Sequence, residues 1–158
     1  YPQIDTAVLF SPPLIRGELI HLGINSLFSD AEKDVLVERP VTVDDGEVLI
    51  VGSVDLILDG KPVEIKTASK LKGVPQEHHL LQLRLYLWAL QEEEGELWYI
   101  APNGVVSFPV QSTLTDKEVA KLVQNDYVPM WKDWECQYCP FKHLCPANVE
   151  FHQGSRRR

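Results

Sequence analysis

The sequence predicts an α/β or α+β sheet domain, and three observations carry that expectation. Short β-rich runs lie between Val35 and Thr67 with Asp-Gly turns between them. Helical periodicity brackets them, at Leu14 to Phe28 before and Pro75 to Glu94 after. A further strand pair and a helix follow, ahead of a cysteine-bearing tail. At 158 residues the chain suits one domain with a real core.

Tyr1 to Phe10 carries no regular pattern. Ser11-Pro12-Pro13 is a helix start, since serine caps well and proline suits the first turn. In the helix that follows, Ile20, Ile24, Leu27 and Phe28 can share one buried stripe. The same helix holds Arg16, Gly17 and His21; a glycine one turn before His21 would admit another backbone or a substrate. Val35 to Val43 reads as a strand, with Pro40 favouring a sheet edge or bulge. Asp44-Asp45-Gly46 turns the chain into the longest strand candidate, Glu47 to Leu58. Asp59-Gly60 turns it again into Lys61 to Thr67, completing an antiparallel meander. Ala68 to Val74 is an exposed connector.

The second long helix places Gln76, Leu80, Leu83, Leu87 and Leu90 at core spacing, and Gly95 is its expected stop. Gln82 and Tyr86, four apart, look out from one face of it. Leu97 to Ile100 and Val105 to Val110 form a hairpin around Pro102-Asn103-Gly104. Thr115-Asp116-Lys117-Glu118 fits a capping box opening a helix to about Trp131.

The chemistry concentrates in Val51 to Thr67. Glu64 and Lys66 project from one face of a strand, Ile65 from the other, and the hairpin can bring Asp55 beside them. Two carboxylates on apolar strands cost free energy unless something compensates them. A hard divalent cation, Mg²⁺ or Mn²⁺, would do so, and could polarise a phosphodiester while Lys66 orients a water or balances charge. The same string of residues also occurs by chance in proteins that bind no metal.

Four short motifs stand in order: Gly17-x-x-x-His21, Gly52-x-x-Asp55, Glu64-Ile65-Lys66 and Gln82-x-x-x-Tyr86. Together they resemble the RecB-type branch of the PD-(D/E)xK nucleases. The resemblance implies a restriction-endonuclease-like α/β core, a central mixed sheet flanked by helices. It implies Asp55, Glu64 and Lys66 as catalytic residues. His21, Asp55, Glu64 and the main-chain carbonyl of Ile65 would be metal ligands, and Gln82 and Tyr86 would position the DNA backbone.

A second constellation is Cys136-x-x-Cys139-x5-Cys145, followed by Pro146. Clustered thiolates at this spacing indicate a metal in a reducing compartment rather than a disulfide framework. Zinc would take His143 or His152 as fourth ligand; an iron–sulfur cluster would want a fourth cysteine, and the chain has three. The stretch resembles the C-terminal motif of the fourth family of CRISPR-associated proteins, the Cas-four family. That resemblance implies a 4Fe-4S cluster on Cys136, Cys139 and Cys145, completed by an N-terminal cysteine. The chain begins at Tyr1 rather than methionine, so an upstream segment bearing that cysteine is expected. The expected division is a nuclease core over 11–131 and a cysteine-rich segment over 132–150, packed as one domain.

Fifteen basic against 23 acidic residues leave a net charge of −8, which argues against a protein that coats nucleic acid by bulk charge. Positive charge is local: Lys66, Lys70, Lys72 and Arg84 face Glu77 alone over that stretch, and with His78 and His79 could track a DNA strand. Ordinary solvated lysines explain Lys70 and Lys72 as well. Trp131, Trp134, Tyr138 and Phe141 could stack on bases or pack around the cysteine centre. No run is apolar enough to span a bilayer, and a cytoplasmic location is expected. The function expected from the resemblance is a single-stranded DNA exonuclease acting in CRISPR spacer acquisition, with the integrase proteins as partners. Two other readings are the nuclease module of a repair helicase–nuclease, and a non-catalytic DNA-binding protein with a structural metal.

Overall fold

The computed structural model describes residues 12–124 and Cys139. Gly17–Asp126 make up one compact unit, whose fold is described here; Pro12–Arg16 and Cys139 fall in a second. The order is α1 (Pro12–Leu27), β1 (Glu32–Val43), β2 (Gly46–Leu58), β3 (Lys61–Thr67), α2 (Glu77–Leu90), β4 (Glu94–Ala101), β5 (Gly104–Gln111) and α3 (Asp116–Gln124). The five strands form one mixed sheet in chain order, flanked by helices. Every pairing is antiparallel except β3 with β4, which run parallel because α2 carries the chain back between them.

Turn chemistry sets the hairpins. Asp59 and Gly60 both take positive φ, at 51° and 80°, which fits the twist of a two-residue hairpin. Pro40 lies on β1, an edge strand, where its missing N–H interrupts no further pairing. In α3, Thr115 and Glu118 exchange capping hydrogen bonds: Thr115 N–H donates to Glu118 Oε2 at 2.8 Å, and Glu118 N–H to Thr115 Oγ1 at 3.3 Å.

Three apolar clusters build the core. Leu83 and Leu87 of α2 pack on Leu97, Tyr99 and Val110. Trp88 joins Val41 and Val119. Leu56, Val63 and Ile65 take Ile24 and Phe28 of α1. Thus β3 alternates: Val63 and Ile65 pack toward α1. Glu64 and Lys66, paired in register with Leu97 and Tyr99, belong to the side that α2 covers.

Two expectations from the sequence are corrected. Leu27 is 76% exposed rather than part of the expected buried stripe, and Ile24 and Phe28, the latter just past the helix end, are only partly buried against the sheet. Gly95 does not stop α2. The helix ends at Leu90, and Gln91 takes the left-handed cap (φ 61°), its N–H reaching the last-turn carbonyls. Gly95 instead lies in β4, where a Cβ would come within 2.6 Å of the Pro62 carbonyl oxygen. The Ser11 cap, the extension of the last helix to Trp131, and Trp134, Cys136, Tyr138, Phe141, His143, Cys145 and His152 lie outside the described residues.

Candidate active site

Antiparallel β2 and β3 stay in register only from Leu58↔Lys61 to Leu56↔Val63. Where the ladder ends, a side chain replaces it: Ile65 N–H donates to Asp55 Oδ2 at 2.7 Å. This bond fixes the Asp55 carboxylate against the backbone between Glu64 and Lys66. From α1, His21 Nδ1 approaches the other oxygen of Asp55, Oδ1, at 3.4 Å. Asp34, with φ 49°, stands opposite Asp55 at a break in the β1–β2 ladder, flanked by Lys33↔Leu56 and Val35↔Val54. Its charge acts on Asp55 as well.

Glu64 is the only charged residue among the described ones with a fully buried position, at 2% exposure. Its Oε1 accepts a bond from Lys66 Nζ at 2.5 Å, while its Oε2 is buried with no hydrogen-bond partner. Burial of that kind disfavours the charged form. It pushes the Glu64 carboxyl up to about 7, Lys66 partly opposing the rise and Asp55 adding to it. Burial also raises Asp55, against the lowering effects of the Ile65 N–H, His21 and Lys66.

Gln82 and Tyr86 bond to one another, Gln82 Nε2 donating to Tyr86 Oη at 2.9 Å. The Tyr86 ring fills the space beside Gly52, where an added Cβ would lie 2.6 Å from Cε1. The glycine of the Gly52-x-x-Asp55 motif thus makes room for the tyrosine of the helix motif. Gly17 has a similar neighbour at ordinary contact distance, the Thr67 hydroxyl at 3.5 Å from a built Cβ. The fold therefore brings His21, Asp55, Glu64, Ile65 and Lys66 together, and joins Gln82 and Tyr86 to β2. Lys70 and Lys72 are exposed on the connector after β3.

Sequence reasoning did not single out Asp34 or Tyr99. Tyr99 is set level with Lys66 by the parallel pairing of β3 with β4, which no local pattern specifies. Asp34 carries no local signal, since its placement comes from a backbone irregularity.

Among the described residues, no three His, Cys, Asp or Glu side chains converge as a ready-made metal cage. Asp55 and Glu64 are instead engaged by Ile65 N–H, His21 and Lys66. The donor set nevertheless fits a hard divalent cation. It offers two carboxylates and an imidazole, and one buried carboxylate oxygen lacks any other partner.

Comparison with known proteins gives three kinds of match. The PD-(D/E)XK nuclease superfamily matches residues 21–146. The CRISPR-associated exonuclease Cas4 of Saccharolobus solfataricus is 32% identical over 94% of this chain and 79% of its own length. The crystal structure of SSO0001 superposes with a TM-score of 0.82 at 32% identity, over 94% of this chain and 77% of that one.

Proposed function

Since the chain belongs to the PD-(D/E)XK nuclease superfamily, in its Cas4 family, we propose that it hydrolyses DNA phosphodiesters as a Mg²⁺- or Mn²⁺-dependent exonuclease that prefers single strands. One observation carries the reading. A buried glutamate with an unpartnered oxygen sits two residues from a lysine and beside a backbone-fixed aspartate. A fold gains nothing in stability from that arrangement alone.

Asp55, Glu64, His21 and the Ile65 carbonyl would hold the metal. A bound Mg²⁺ or Mn²⁺ supplies Lewis acidity toward the phosphodiester and the attacking water. Lys66 orients that water and offsets negative charge growing on the phosphate, a task for a cation already aimed at the site. Asp55 keeps its orientation through the Ile65 N–H, so the carboxylate does not reorganise during the reaction. Tyr86, seated over Gly52 and bonded to Gln82, steadies the DNA backbone at the edge of the site.

We further propose two parts to the chain, a nuclease core over 11–131 and a cysteine-rich segment over 132–150 in which Cys136, Cys139 and Cys145 hold a 4Fe-4S cluster. The named exonuclease relative is CRISPR-associated, which supports a role in spacer acquisition with integrase proteins as partners. Among the described residues no helix is long and apolar enough to cross a membrane.

The test is cleavage of end-labelled single- and double-stranded DNA, with and without Mn²⁺. Metal-dependent loss of label from single strands is expected. Full activity of Glu64→Ala in Mn²⁺ would sink the assignment of the site.

A further inference from the structure

One group near the site has no part in the reading above. His79 lies in the first turn of α2, and its Nδ1 is 2.7 Å from Tyr99 Oη. The Tyr99 oxygen also accepts the N–H of Gln76 at 3.0 Å. Tyr99 is 6% exposed, so its own proton needs a protein acceptor, and His79 Nδ1 is the one within reach. The ring proton of His79 is thereby assigned to Nε2, which becomes a donor of fixed orientation. His78 packs edge-on against the same ring, with centroids 4.2 Å apart.

The position of this donor matters. Tyr99 pairs in register with Lys66, so the hydroxyl that fixes His79 rises from the strand position beside the lysine. Tyr99 also lines a small cavity with Ala68, Lys70, Lys72, Val74 and Gln76. The lysine connector and His79 therefore both adjoin one buried tyrosine, whose strand position is level with Lys66. We propose that His79 is a further substrate-contacting residue of the nuclease reaction, its Nε2–H donating to a non-bridging oxygen of the DNA phosphate that Lys66 serves.

A neutral donor suits that place. A second full cation beside Lys66 would be repelled, whereas a neutral N–H contributes a directed hydrogen bond without that cost. Burial, with His78 and Lys66 adding to it, lowers the His79 pKa to about 4, so the ring stays neutral at ordinary pH.

The inference rests on the nuclease reading, and the experiment separates the two. Turnover at saturating DNA, DNA affinity and melting temperature are measured for the wild type, His79→Leu and His79→Gln. Glutamine places an amide N–H near the position of Nε2; leucine offers none. His79→Leu is expected to lose roughly 10- to 100-fold in turnover, with DNA affinity changed by less than about threefold. His79→Gln should stay within about fivefold of wild type. Replacing one non-bridging oxygen of the cleaved phosphate by sulfur should slow the wild type more than His79→Leu for one diastereomer. Wild-type turnover in His79→Leu overturns the inference alone. So does an equal loss in both variants that tracks a fall in melting temperature, or a sulfur effect unchanged by the leucine. If His79→Leu does not fold, a glutamine variant that folds and is as slow as Glu64→Ala overturns it. A wild type that cuts no DNA overturns the nuclease reading, and this inference with it.

Discussion

The Tyr86 ring stands where a methyl group on Gly52 would have to go, 2.6 Å from Cε1. Gly52→Ala must push the ring aside, costing about 1–3 kcal/mol by overpacking. Tyr86→Ala removes the obstacle, so the double variant should recover part of the loss. Urea unfolding of the four proteins of that cycle gives the coupling. Additivity within error would show that the two residues do not press on one another.

Glu64 makes the opposite kind of prediction. Its carboxyl titrates near 7 when folded, against an ordinary value of 4.5. Between those values the folded state holds more protons than the unfolded one, so stability falls as pH rises through that window. The penalty is absent at about pH 4 and fully present at about pH 8. Glu64→Gln should therefore stabilise the metal-free protein by about 1–3 kcal/mol at pH 8 and little at pH 4, while abolishing cleavage. A gain of equal size at both pH values would contradict the burial argument.

On the proposed reading, metal and proton compete for the Glu64 carboxylate. Cleavage should decline as pH falls below about 7, where Glu64 takes up a proton. Raising the Mn²⁺ concentration should move that acid limb to lower pH. A limb that stays put at every Mn²⁺ concentration would place the titrating group elsewhere.

Asp55→Ala and Lys66→Ala should each lower cleavage by on the order of 10²–10³-fold or more, with DNA binding retained. Mn²⁺ should raise the melting temperature of the wild type and of Lys66→Ala, but not of Asp55→Ala. Filter binding and thermal scans read both effects. Equal stabilisation of all three proteins would remove Asp55 from the ligand set.

The cysteine segment predicts an optical signature. Protein purified without oxygen should be brown, with visible absorption that reduction bleaches and Cys139→Ala weakens. A colourless protein containing zinc would replace the cluster with a zinc site.

Much of this site could be read in the chain because its parts obey short periods. Alternation in β3 sets Glu64 and Lys66 on one side and Ile65 on the other, and the Asp59-Gly60 turn fixes which residue of β2 faces them. The helical spacing of Gln82 and Tyr86 likewise appears as a hydrogen bond. What escaped depends on distant partners. Gly95 resembled a helix stop by composition, yet Gln91 adopts the left-handed cap and Gly95 answers to the Pro62 carbonyl. Leu27 matched the apolar stripe by spacing, but the helix ends there and the chain turns it outward. Tyr99 joins the site only through the parallel pairing of β3 with β4, which no local pattern specifies.

That parallel pairing also bears on the birth of the molecule. The acidic hairpin of β2 and β3 needs only a two-residue turn to close, whereas Tyr99 reaches Lys66 after the whole of α2 has been made and folded back. Long-range parallel contacts form late. A chain made only as far as β3 has Asp55, Glu64 and Lys66 but lacks the strand beside them, so their surroundings are complete only once β4 has paired with β3.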